Sequence, residues 1–141
     1  MTPEDIETIA QCQKDFRKFL GLCRIKDYTS GKVIPFVLWP HLDKFIDDIE
    51  HHKQIIALKS KQVGISYLLA MRALWVCYTS ETAHVVLLSA GQAEANELLD
   101  KAVFAHSQLP DFYQLTKGAH AQSYIEFPST RSKVVALPST Q

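Results

Sequence analysis

The chain has 141 residues, 47% of them apolar and 21% charged, which is the balance of one ordinary globular domain and excludes a disordered or fibrous chain. Its 15 lysines and arginines equal its 15 aspartates and glutamates, so no overall field draws it to nucleic acid and only a local basic groove remains open. Cys12, Cys23 and Cys77 lack the paired spacing of zinc or redox sites and read as reduced thiols. No signal-like apolar run follows the acidic start Met1-Thr2-Pro3-Glu4-Asp5. The longest apolar stretch, 67–78, is interrupted by Arg72 and is shorter than the ~20 residues that span a bilayer, so it reads as a buried helix.

The first element is a helix. Thr2 can cap it, Pro3 suits its first position and Asp5 stands where a capping box expects an acid. Ile6, Ile9, Ala10, Phe16, Phe19 and Leu20 recur at helical spacing until Gly21 stops the run. Residues 23–32 read as a polar connection with a turn at 28–31. Pro40 opens a second helix, with Leu42, Phe45, Ile46 and Ile49 on one face and Asp43, Asp47, Asp48 and Glu50 largely on the other. From there short apolar strands alternate with helices: strand 55–58, helix 66–78, strand 84–89, helix 92–107. That alternation predicts an α/β fold with parallel central strands buried on both faces and ligands at the strands' carboxyl ends. Residues 123–127 and 133–137 flank a Pro-Ser-Thr-Arg-Ser turn and predict a C-terminal antiparallel β-hairpin.

The most informative stretch joins strand 55–58 to helix 66–78. It reads Lys59-Ser60-Lys61-Gln62-Val63-Gly64-Ile65-Ser66, a basic polar loop between an apolar strand and a helix. That is the layout of a phosphate cradle, in which backbone N–H groups and a helix's positive end face an anion. Against the frame G-x-x-x-x-G-K-[ST], Gly64 and Ser66 fit, whereas Lys59 replaces the first glycine and Ile65 the lysine. Lys59 and Lys61 lie in the loop and could supply the missing charge; the plainer alternative is a solvated turn between two buried elements.

This loop resembles the deviant Walker A of large terminase subunits, the ATPases that package DNA into tailed-phage heads. Lys59 matches the displaced lysine of some members, Lys61 the position where many carry arginine, and Gly64 and Ser66 match directly. Residues 34–41 resemble the segment leading to the family's adenine-contacting region, although His41 and Leu42 follow Pro40 where a glutamine is usual. Residues 84–95 are similar to the family's second core strand and its helix, and 134–140 to the strand before its next block. The resemblance covers about residues 30–141, in order. It implies an incomplete P-loop NTPase core (RecA/ASCE-like), with 1–38 an N-terminal helix and connecting segment and 39–141 the N-terminal part of the ATPase domain, ending before the acidic metal-binding motif. It further implies ATP and magnesium as cofactors, bound by Lys59, Ser60, Lys61, Gln62, Val63, Gly64, Ile65 and Ser66, with Ser66 holding the magnesium of the nucleotide. Double-stranded DNA, the small terminase subunit and the portal protein are the implied partners, and the cytoplasm of an infected host cell the implied location.

Other candidates read more plainly. His51 and His52 are adjacent, point different ways and suit a solvated helix end. Glu97 and Lys101 are spaced for a surface ion pair, and Glu94 is a first-turn acid that needs no ligand. Trp39 is expected to pack in the core rather than cover an adenine. Ser89 and Gln92 are candidate phosphate or DNA sensors by the resemblance alone. No Ser-His-Asp, Cys-His or paired-carboxylate arrangement stands out. No acid follows the strand at 134–137, so the chain by itself is expected to bind nucleotide weakly without turning it over. Two other functions fit the same pattern: a different P-loop, helicase-like ATPase, and a non-catalytic α/β domain for protein contacts.

Overall fold

The computed structural model describes residues 1–27, 29–55 and 64–139. Helix α1, Pro3–Lys14, begins with the expected capping box: the Thr2 hydroxyl accepts the Asp5 N–H at 3.1 Å and the Asp5 carboxylate accepts the Thr2 N–H at 3.0 Å. The helix does not continue to Gly21. Asp15 leaves the helical conformation, at φ −131° and ψ 110°, and its carboxylate caps a second helix, α2, Phe16–Leu20, by accepting the Arg17 N–H at 2.9 Å. The break reorients Phe16, Phe19 and Leu20 into the core, where each is at most 2% exposed.

The segment read as a polar connection contains a hairpin. Strand β1, Arg24–Lys26, pairs antiparallel with β2, Val33–Pro35. Its turn is held by Asp27, which accepts the Thr29 N–H and the Ser30 hydroxyl, and by Gly31 at φ +71°. Helix α3, Pro40–His51, buries Leu42 and Ile46 as its apolar face predicts. Its acidic face is clamped rather than simply solvated: Arg17 of α2 reaches Asp43 at 2.6 Å and Asp47 at 2.7 Å.

Helix α4, Ile65–Thr79, is the buried helix the apolar run announces, with Leu68, Met71, Leu74 and Cys77 at most 1% exposed. It starts at Ile65, one residue before the expected Ser66, because Gly64 takes the cap position. Strand β3, His84–Ser89, and helix α5, Gln92–Gln108, follow as expected. Strands β4, His120–Ala121, β5, Tyr124–Phe127, and β6, Ser132–Pro138, complete a sheet in the order β3-β6-β5-β4. The expected C-terminal hairpin is β5–β6, and β6 also pairs in parallel with β3, placing Val85 beside Val134 and Leu87 beside Ala136.

The described residues therefore form a mixed α/β fold with one four-stranded sheet, parallel at β3–β6 and antiparallel elsewhere. The strand expected at 55–58, and its pairing with β3, lie outside the described residues apart from Ile55. Burial on both sheet faces was the expectation, and it does not hold among the described residues. Helices α4 and α5 cover the face of Leu87, Val134, Ala136, Ile125 and Phe127, while Val86 (50%), Leu88 (60%) and Leu137 (42%) on the opposite face are exposed. All three cysteines are free and buried, and burial pushes the Cys77 thiol up to about 12. No helix among the described residues is long and apolar enough to cross a membrane.

Candidate functional site

Of the expected cradle, Gly64, Ile65 and Ser66 are described; Lys59, Ser60, Lys61, Gln62 and Val63 lie outside the described residues. Gly64 has φ +85° and ψ −1°, the left-handed region that disfavours a side chain. A Cβ there would also stand 3.1 Å from Leu42 Cδ1. Both constraints select glycine, and together they fix the angle at which the chain enters α4. The Gly64 carbonyl accepts the Leu68 N–H at 3.0 Å, so it closes the first helical hydrogen bond.

The first-turn N–H groups of α4 have no partner within the helix. No acid occupies that turn, and its cap, Gly64, has no side chain with which to close it. Helix α5 provides the contrast. A Cβ built on its cap, Gly91, would meet Glu94 Oε2 at 2.5 Å, so the Glu94 carboxylate folds back over its own helix start. The positive end of α5 thus has an acid of its own beside it, whereas the first turn of α4 carries none. Ser66 is half-buried in the first turn of α4, where a hydroxyl can face a phosphate-bound cation. Ile65, beside it, is half-buried. With Phe45, Ile49, Lys53, Ile55 and Leu69 it lines a cavity of about 420 Å³ between α3 and α4.

Sequence reasoning missed one basic residue beside this helix end. The Lys101 ammonium lies over the Tyr67 ring, 5.3 Å from its centroid, and not in the expected pair with Glu97. Tyr67 belongs to the first turn of α4, and its hydroxyl donates to the Lys26 carbonyl at 3.3 Å. A cation from α5 is thereby set against the start of α4. Spacing along α5 could suggest only the Glu97 partner; the contact depends on how two helices cross.

The remaining candidates are placed elsewhere or are structural. Gln92 uses its amide to donate to the Ala136 carbonyl at 3.0 Å and to Asn96 Oδ1 at 2.8 Å, tying α5 to β6. The Ser89 carbonyl at the end of β3 accepts the Ser139 N–H at 2.7 Å. Trp39, expected in the core, is instead 59% exposed at the cap of α3. His51 and His52 are exposed at the end of that helix, as expected. Among the described residues no group of three or more His, Cys, Asp or Glu side chains could hold a metal ion. No protein-family model matches the chain, and neither does any curated protein.

Proposed function

We propose that the chain is part of a P-loop ATPase of the large-terminase kind, which binds ATP with magnesium and couples its hydrolysis to movement of double-stranded DNA. The observation that carries this reading is the left-handed Gly64 at the head of α4, a helix start without acid or side-chain cap and with Ser66 in its first turn. That combination suits a phosphate group, because the backbone donors and the helix dipole both favour negative charge. The reading assigns phosphate neutralisation to Lys59, with Lys61 beside it, and magnesium to Ser66. A P-loop core needs a further parallel strand, and the outer edge of β3 is unpaired among the described residues, which leaves a place for one. By the same resemblance the partners are the small terminase subunit and the portal protein, in an infected host cell.

Thermal denaturation with and without millimolar Mg·ATP tests the proposal. A ligand that binds only the folded state raises the melting temperature. The wild type is expected to gain stability, and Ser66→Ala to lose most of that gain. Absence of any shift in the wild type favours the second reading, a non-catalytic domain for protein contacts. The observation on that side is the exposed apolar sheet face of Val86, Leu88 and Leu137, since parallel strands are usually covered on both faces.

A further inference from the structure

Two residues other than glycine adopt left-handed backbone conformations among the described residues, Thr82 at φ +55° and Arg131 at φ +54°. They sit side by side, just before the parallel strands β3 and β6. The Thr82 N–H donates to the Thr130 carbonyl at 2.8 Å. The Ser132 hydroxyl accepts the Ala83 N–H and donates to the Ser80 carbonyl, both at 3.0 Å. The Thr130 hydroxyl donates to the Cys77 carbonyl at 2.8 Å. The two turns are thus stitched together and held in their strained shape. A left-handed conformation is unfavourable for an L-residue, and arginine lacks the short polar group with which asparagine or aspartate offsets that cost. Strain of this kind persists where the surroundings over-determine it and collects at functional sites.

The strained turn delivers Arg131 to a cavity of about 270 Å³ that is also lined by His84, Lys133, Glu126 and Pro128. In sheet register His84 lies beside Lys133, and Lys133 beside Glu126, so the three form one row across β3, β6 and β5. Glu126 is the acid of the row. Among the described residues, no carboxylate comes within 4.0 Å of Arg131 or Lys133. The lining therefore includes an arginine, a lysine and a histidine with one acid. It lies at the opposite end of β3 from Gly91 and the start of α5.

We propose that this cavity is an anion site for a phosphate group, separate from the cradle at α4. Arg131 presents its planar fork to two phosphate oxygens, Lys133 supplies a point charge, and His84 a further ring nitrogen. The same chemistry serves a free phosphate or one phosphate of a nucleic-acid backbone, and the Glu126 carboxylate disfavours a larger polyanion seated directly over it.

NMR titration of the wild type with inorganic phosphate, and separately with a short DNA duplex, tests the site without nucleotide and so independently of the ATPase reading. Signals of His84 and residues 131–133 are expected to move. Arg131→Gly removes the charge while suiting the left-handed backbone, so its melting temperature should equal or exceed the wild type's. Its phosphate affinity should fall about tenfold or more, as for loss of one charge-assisted hydrogen bond. Arg131→Lys should recover part of that affinity. Shifts with phosphate alone identify a small-anion site; shifts with the duplex identify a backbone contact. Silence of these signals with both probes, or equal binding by Arg131→Gly, overturns the proposal.

Discussion

The Tyr78 hydroxyl lies 2.6 Å from Nδ1 of His106, joining α4 to α5 inside the core. The same oxygen accepts the Leu115 N–H at 3.0 Å, so its own hydrogen is left for the imidazole and His106 carries its proton on Nε2. Phe127 meets the His106 ring edge-on at 5.1 Å, and the Tyr78 ring stacks on Tyr113 at 5.4 Å. Burial, aided by Lys117 and His120, pushes His106 down to about 4.

That displacement fixes a pH dependence. The folded value is depressed below the ordinary value of 6.5, so the unfolded chain takes up a proton first as pH falls. The stability contributed by neutral His106 is full above 6.5 and is lost between 6.5 and about 4, with a magnitude on the order of 1–3 kcal/mol. Denaturant titrations across this window should give a steeper loss for the wild type than for His106→Gln. Equal slopes would contradict the assignment.

Gly64→Ala should destabilise the fold by roughly 1–3 kcal/mol. The added methyl meets both the φ of +85° and Leu42 Cδ1 at 3.1 Å. Urea unfolding measures the change, and a variant as stable as the wild type would show that the entry to α4 is not fixed in this way.

Between the two loop lysines, Lys59 is expected to carry more of the phosphate interaction. In its resemblance to the loops of large terminase subunits, Lys59 matches the displaced lysine and Lys61 the arginine position. Calorimetric titration with Mg·ATP should show a larger loss of affinity for Lys59→Ala than for Lys61→Ala; the reverse order would exchange their roles.

Much of the fold was legible because local signals and burial agree. Thr2, Pro3 and Asp5 spell the cap that α1 uses, and the apolar run 67–78, broken by Arg72 alone, becomes helix α4. The hairpin at β5–β6 follows from two runs flanking a Pro-Ser-Thr turn. Asp15 was hidden because Phe16, Phe19 and Leu20 keep helical spacing across the break, and only its capping of α2 reveals the kink. Strands β1 and β2 are three residues each, too short for a period to register. At the candidate site, Gly64 was readable from its place in the loop, whereas Lys101 reaches Tyr67 through the packing of α5 on α4 and leaves no mark in local spacing.

On the proposed function, the start of α4 faces a phosphate group. The most direct measurement of this is an amide NMR titration of the chain with Mg·ATP. Saturable shifts are expected to concentrate at Gly64, Ile65 and Ser66 and to be lost in Lys59→Ala, while the Gly91 amide, beside the Glu94 carboxylate, moves little. Saturation with no movement at residues 64–66, or equal movement in Lys59→Ala, would contradict it.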